Sequence, residues 1–142
     1  MQLVVFSLGA EEYGLPITQV QEIIRYSTPR TIPSAPPSVR GVINLRGKII
    51  PVVDLKQRIG LPAGESEESK IVIVEAGTFT AGLIVDDVDE VLSVDEDQLE
   101  APPTGDVAAI SSVAKVGDRL LVLLDLEAMF AVDSVDADLL AA

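Results

Sequence analysis

Val4 to Ile24 reads VVFSLGAEEYGLPITQVQEII, and Val72 to Leu92 reads VIVEAGTFTAGLIVDDVDEVL. The two stretches align without a gap 68 residues apart, so Gly14 falls on Gly82, Val20 on Val88, Glu22 on Glu90 and Ile23 on Val91. A second block, KIIPVVDL from Lys48 to Leu55, recurs 71 residues later as RLLVLLDL from Arg119 to Leu126. Two strand-rich units of about 70 residues argue for a duplicated β module, with approximate units 1–69 and 70–132 and a tail at 133–142. Neither unit carries an evident catalytic cluster, which points to a protein that holds other proteins.

A unit of this size makes a marginal core alone, and duplication lets two units bury apolar faces against each other. Of the 142 residues, 48% are hydrophobic but only five are aromatic. The interior is therefore built from Val, Ile and Leu, which suits strands. The chain has no cysteine, which excludes disulfides and thiolate metal sites. It has no histidine, which removes the commonest general base and metal ligand. The N-terminus runs directly into a first strand without the pattern of a secretion signal. No stretch approaches the 18 or so apolar residues of a membrane span, so a cytoplasmic protein is expected.

The net charge of −13 is unevenly placed. Residues 1–69 balance seven basic against seven acidic residues, whereas residues 70–142 hold three against sixteen. Such a surface repels a phosphate backbone, so no nucleic-acid partner is expected. The acidic half either steers a basic partner or is a solvated face.

Along the chain, Leu3–Leu8 and Tyr13–Ile17 read as strands. Thr18–Ile24 reads as a helical turn or a bent strand, and Pro29, Pro33, Pro36 and Pro37 then break regular structure. Leu45 to Lys48 is a hairpin corner around Gly47. Pro51 lies in the apolar run Ile49–Val53, which predicts an edge or a bulge there. Asp54 and Asp125 precede short helices at Leu55–Ile59 and Leu126–Phe130 and are read as caps rather than as an acid pair. Gly60–Ser69 is a linker and Ala101–Asp106 a loop. The second unit runs through Ile71–Val74 and Phe79–Val85. Asp86 to Glu90 is an acidic corner, and Ile110–Val116 pairs with Leu120–Leu124 across Gly117-Asp118. Repeated short strands, glycine corners and no long helical pattern suggest small closed barrels.

Phosphate-binding loops and a nucleophile elbow are missing. The run Asp86, Asp87, Asp89, Glu90 lacks the glycine-centred spacing of a calcium loop, so no metal is expected. The most particular segment is VRGVINLRGK, Val39 to Lys48, which sets Arg40, Arg46 and Lys48 beside apolar residues. That is either a protein-binding anchor or an ordinary hairpin corner.

These motifs resemble the chemotaxis coupling protein family, CheW. The likeness is carried by Phe6-Ser-Leu-Gly9, Glu12-Tyr-Gly14, Val20-Gln-Glu-Ile23, Val39 to Gly47, Ile50 to Leu55, Gly82 to Val91 and Leu120 to Leu126, and it covers nearly the whole chain as one CheW-like domain, 1–142. The resemblance implies an all-β fold: two SH3-like five-stranded β-barrels, internally duplicated, sharing a hydrophobic core, with short helices. It implies no catalysis and no cofactor. The implied role is an adapter that joins the cytoplasmic tip of methyl-accepting chemoreceptors to the histidine kinase CheA in receptor arrays at the inner face of the membrane, without inserting into it. With no receiver or kinase region beside it, the chain resembles the stand-alone adapter. Carried over residue by residue, the family's receptor-binding positions fall on Val20, Glu22, Gly41, Arg46, Val72, Gly82 and Val91. A receptor hairpin would then lie in the groove between the barrels, with Gly41 and Gly82 admitting close backbone approach; the resemblance leaves the kinase-contact residues unnamed. Two alternatives stand beside this reading. One is a related adapter serving gliding, pili or development. The other is a small-molecule enzyme on a duplicated barrel, for which the sequence offers no histidine or cysteine.

Overall fold

The structure is a computed structural model that describes residues 1–35, 38–59, 68–77, 79–101 and 110–131. The expected linker over 60–67, the loop beyond Ala101, Pro36, Pro37 and the tail fall outside the described residues. Among the described residues eleven strands form two sheets: β1 (Gln2–Leu8), β2 (Glu11–Pro16), β3 (Val20–Arg25), β4 (Val39–Leu45), β5 (Lys48–Asp54), β6 (Lys70–Ala76), β7 (Phe79–Val85), β8 (Asp87–Ser93), β9 (Leu99–Glu100), β10 (Ile110–Val116) and β11 (Arg119–Leu124). Two short helices, α1 (Leu55–Arg58) and α2 (Leu126–Ala131), follow β5 and β11. The strand order is β8-β1-β2-β11-β10-β9 in one sheet and β3-β6-β7-β5-β4 in the other.

The two orders are one pattern written twice with the repeats exchanged. Hairpin β1–β2 corresponds to β6–β7, β3 to β8, β4 to β10 and β5 to β11. Each sheet is a hairpin from one repeat, flanked on one side by the third strand of the other repeat and on the other by that repeat's closing hairpin. The registers agree residue by residue. Gly14 lies opposite Val5 and, in the parallel ladder, opposite Leu123. Gly82 lies opposite Ile73 and Val52. The duplication is therefore as expected, but the units interleave instead of lying side by side: residue 69/70 is not a sheet boundary. The two-residue β9 is an extra strand on the six-stranded sheet.

Why the strands are so apolar follows from their burial on both faces. Along β6, Ile71 and Ile73 face one cluster and Val72 and Val74 another. The five-stranded sheet curls round Ile43, Ile50, Val52, Ile71, Ile73 and Ile84. The six-stranded sheet curls likewise round Leu3, Val5, Ala114, Leu121 and Leu123. Between the sheets lies a third, shared cluster, where Phe6, Leu8 and Leu15 meet Val72, Val74, Leu83 and Val85. Within it Phe6 stacks on Tyr13, with centroids 6.3 Å apart, and Phe79 packs at its margin; the rest of the seam is mainly aliphatic, as the composition requires.

Local expectations resolve in detail. Thr18–Ile24 is both alternatives in turn, a 3-10 turn over Ile17–Gln19 and then β3. Leu45–Lys48 is a two-residue hairpin in which both Arg46 (φ 52°) and Gly47 (φ 84°) are left-handed, the geometry that matches strand twist. Asn44 Oδ1 accepts from Gly47 N at 2.8 Å and holds it. Both caps form: Asp54 accepts from Gln57 N and Asp125 Oδ1 from Ala128 N at 3.0 Å.

Two expectations fail. Pro51 is neither on an edge nor at the bulge, which falls between Val39 and Gly41. Its partner Val42 spends both backbone groups on Arg30, so at this pair the backbone polar groups of β5 also point away from β4. The parallel ladder to β7 starts one residue later at Val52, so the missing N–H of Pro51 interrupts no bond. Asp86–Glu90 is not an open corner either. From Asp87 onward it is edge strand β8, paired with β1, and its charges blunt an exposed edge.

Gly14 and Gly82 point into the curled interiors, and neither has a left-handed φ. A Cβ on Gly82 would sit 2.8 Å from Ile71 Cγ2, a branched methyl close to the backbone; one on Gly14 would sit 3.1 Å from Leu123 Cδ2, the end of a flexible side chain. Gly82→Ala is expected to destabilise by about 1–3 kcal/mol through overpacking, and Gly14→Ala by less. Urea unfolding of both variants checks this; equal effects would show that the Ile71 side yields as readily as Leu123.

Candidate functional site

The sequence-derived positions separate into two groups. Val20, Glu22, Arg46 and Val91 reach the surface. Val20 and Glu22 are half-buried on edge strand β3, and Val91 on edge strand β8 is 51% exposed. Val72, Gly82 and Gly41 are buried. Val72 packs in the shared cluster, and Gly82 is enclosed by Ile71, Ile73 and Val52. The close backbone approach at Gly41 is intramolecular. Its φ is +148°, and a Cβ there would stand 2.1 Å from the carbonyl oxygen of Arg30, whose backbone bonds Val42 on both groups.

Glu22 and Arg46 are brought together. Arg46 donates through both terminal nitrogens to the two carboxylate oxygens of Glu22, at 2.6 and 2.7 Å. This bidentate pair joins β3, at one edge of the five-stranded sheet, to the β4–β5 corner beyond the other edge, which only a curled sheet permits. The hydrogen bond from Arg46 holds the Glu22 carboxyl below its ordinary 4.5, and the Arg46 guanidinium is raised in return. The Arg46 side chain stays 73% exposed. Arg40, from the same motif, is committed elsewhere: its Nη2 donates at 3.0 Å to Asp54, which is fully buried.

The repeat carries a second corner that sequence reasoning passed over. Glu90, the counterpart of Glu22, pairs with Arg119, the counterpart of Lys48, at 2.8 Å. Arg119 also makes a bidentate contact with Glu12, at 3.1 and 2.7 Å. Two carboxylates raise the Arg119 guanidinium, and the hydrogen bond from Arg119 lowers Glu12 from its ordinary 4.5. The same offsets that exposed the repeat place Glu90 and Arg119 on Glu22 and Lys48, and that was the available signal. The corners differ in use: Arg119 is clamped between two strands, whereas Arg46 stands on a left-handed turn with one partner. The repeat also matches exposed aliphatic residues, Ile23 with Val91 and Ile49 with Leu120.

Among the described residues there is no group of three or more acidic side chains arranged to hold a metal ion. Tyr13, the one buried phenol, is pushed up by burial and by its hydrogen bond to Glu11, which keeps it protonated. No helix among the described residues is long and apolar enough to cross a membrane. What the described surface offers is edge strands, exposed aliphatic side chains and paired charges.

Residues 2–134 match the family model described as CheW-like domain. The chain is 36% identical over 134 residues to chemotaxis protein CheW of Bacillus subtilis (strain 168), covering 90% of this chain and 85% of that protein. It is likewise 36% identical over 138 residues to chemotaxis protein CheW of Treponema pallidum (strain Nichols), covering 91% and 81%. Among solved structures it is similar to the scaffolding protein TtCheW from Thermoanaerobacter tengcongensis, with a TM-score of 0.87, 44% identity and 93% of each chain covered.

The ion-paired carboxyls fix a pH dependence. Glu12 and Glu22 bind protons less readily folded than unfolded, so their contribution is present above their ordinary 4.5 and is lost as pH falls through the lower folded value. With no histidine, no side chain of ordinary pKa titrates between about pH 5 and 8. The urea midpoint should hold nearly level across that window and fall below it. Glu12→Gln should lower the plateau and flatten the acid limb; a curve parallel to the parent would show that the Arg119 pair does not contribute.

Proposed function

The chain belongs to the CheW-like domain family, and from that membership we propose that it is a non-enzymatic adapter coupling chemoreceptor cytoplasmic tips to the histidine kinase CheA in the cytoplasm. The observation that carries this reading is the match across residues 2–134, together with likeness over 93% of the chain to a protein described as a scaffold. Its geometry supports it: two edge strands, β3 and β8, present apolar and charged side chains from different sheets, so one elongated partner can touch both.

In this reading Val20, Glu22, Arg46 and Val91 meet a receptor hairpin directly. Gly41, Val72 and Gly82 act from behind, shaping the backbone and core under that face. Arg46 is suited to recognition because its single partner, Glu22, is exchangeable for a carboxylate of the receptor. The kinase occupies another face, since an adapter holds both at once. A second reading, favoured by 30% identity over 84 residues to protein PilI of Pseudomonas aeruginosa, keeps the adapter and changes the receptor system.

Calorimetry with a receptor hairpin-tip fragment and a CheA regulatory-domain fragment, each alone and then together, tests the proposal. Val91→Lys should weaken receptor binding by roughly tenfold or more, because it places a charge in a surface that must lose water. Arg46→Ala should weaken it with little change in the unfolding midpoint, and kinase binding should persist in both. Contacts made by the acidic second half should weaken with added salt, while valine contacts respond less, since screening limits charge to about 8 Å at physiological ionic strength. Mutual exclusion of the two fragments would end the bridging model.

A further inference from the structure

Among the described residues the chain passes between its two sheets twice. From β2 to β3 it uses the turn Ile17–Gln19, which has no side-chain cap hydrogen bond. From β7 to β8 it uses one residue, Asp86. That residue is tied into both sides. Its N–H donates to Ser7 O at 3.0 Å, and its Oδ2 accepts from Gly9 N at 2.6 Å, both in hairpin β1–β2 of the six-stranded sheet. Its Oδ1 meets Lys56 Nζ at 2.8 Å, on α1, which continues β5 of the five-stranded sheet. The Lys56 side chain is only 15% exposed, so this pair is sheltered from competing water. Burial acts against the charged carboxylate, and the bonds from Lys56 and Gly9 outweigh it, so Asp86 titrates below its ordinary 3.8. Next to it, Lys70 of β6 faces Asp87 of β8 at 3.9 Å across a cleft also lined by Arg25 and Glu68.

We propose that Asp86 is a positioning residue: one carboxylate oxygen in each half of the molecule sets the angle between the sheets, and with it the groove between edge strands β3 and β8. The inference rests on the adapter reading above. A partner that touches Val20 and Arg46 on one sheet and Val91 on the other binds two half-sites at once. Its affinity falls by the fraction of molecules whose half-sites are misaligned. Asp86 touches neither half-site; it acts through the alignment. The internal repeat supplies a contrast, because the position of Thr18 in the first unit is part of a three-residue turn, whereas Asp86 makes the crossing alone.

The chain has no cysteine, so Lys48→Cys with Asp118→Cys places two spin labels cleanly at exposed positions, one on the first residue of β5 and one in the turn between β10 and β11. Interlabel distances should form one narrow distribution in the parent protein and a broader one in both Asp86→Ala and Lys56→Met. The unlabelled variants should bind the receptor fragment about three- to tenfold more weakly and the kinase fragment unchanged. The double variant should be no weaker than either single one, because both remove the same link. Lys56→Met keeps the stem and the Gly9 bond, so it reports on the link even where Asp86→Ala fails to fold. Unchanged distance distributions overturn the proposal, and so does weaker binding with unchanged distances, which would make Asp86 a direct contact. A parent protein that does not bind the receptor fragment overturns the adapter reading alone, since the distances still decide the role of Asp86.

Discussion

Everything in this fold depends on the aliphatic seam between the two sheets. Phe6, Leu8 and Leu15 on one side and Val72, Val74, Leu83 and Val85 on the other are fully buried there. The same strands bury their opposite faces inside their own curled sheets, through Leu3 and Val5 or Ile71 and Ile73. Strands hydrophobic on both faces have no solvated side, so neither sheet is stable with its seam uncovered. At roughly 25 cal/mol per Å² of apolar surface, that seam is the largest coherent favourable term available to a chain with few aromatic residues.

Interleaving the repeats makes the seam obligatory. Each sheet takes its central hairpin from one repeat and its closing hairpin from the other, so neither half of the sequence holds a complete sheet. The parallel ladders β2–β11 and β5–β7 are the joints. At each joint a glycine, Gly14 or Gly82, faces inward where a curled sheet is narrowest. The consequence is high contact order: Arg119 closes on Glu12 over 107 residues. Such a topology folds more slowly than one of local contacts, and it fixes the relation between edge strands β3 and β8.

Duplication also explains how one scaffold gains two unlike corners. Glu22 and Glu90 are equivalent positions, but their arginines are not: Arg46 stands two residues before Lys48, the counterpart of Arg119. The second corner adds Glu12 and becomes a clamp over three strands, while the first keeps a single partner and an exposed, left-handed arginine. An exposed bidentate pair contributes little to stability, because water competes for both groups. The first corner can thus exchange its partner at little cost to the fold, whereas the second ties three strands of its sheet together.

The sequence by itself determined the strands, the duplication, the caps at Asp54 and Asp125 and the hairpin at Arg46-Gly47; it did not separate Val20, Glu22, Arg46 and Val91, which reach the surface, from Gly41, Val72 and Gly82, which are buried. Short apolar runs and turn residues are written in neighbouring letters, and the duplication in the letters repeated at a fixed offset. Only the tertiary structure decided which strand lies beside which. A short apolar run marks a strand but is silent about its neighbour, so the exchange of hairpins between repeats was invisible. For the same reason Pro51 was misplaced to an edge, since its harmlessness depends on Val42 turning to Arg30 and on where the β7 ladder begins. Asp87, Asp89 and Glu90 of the acidic run are exposed as solvated charge, but the pairing of the run was not legible because its partners, Lys70, Gly9, Lys56, Ser7 and Arg119, lie at least 17 residues away. Long-range pairing is chosen by the seam that buries the most apolar surface, and that is a property of the whole chain rather than of any stretch of it.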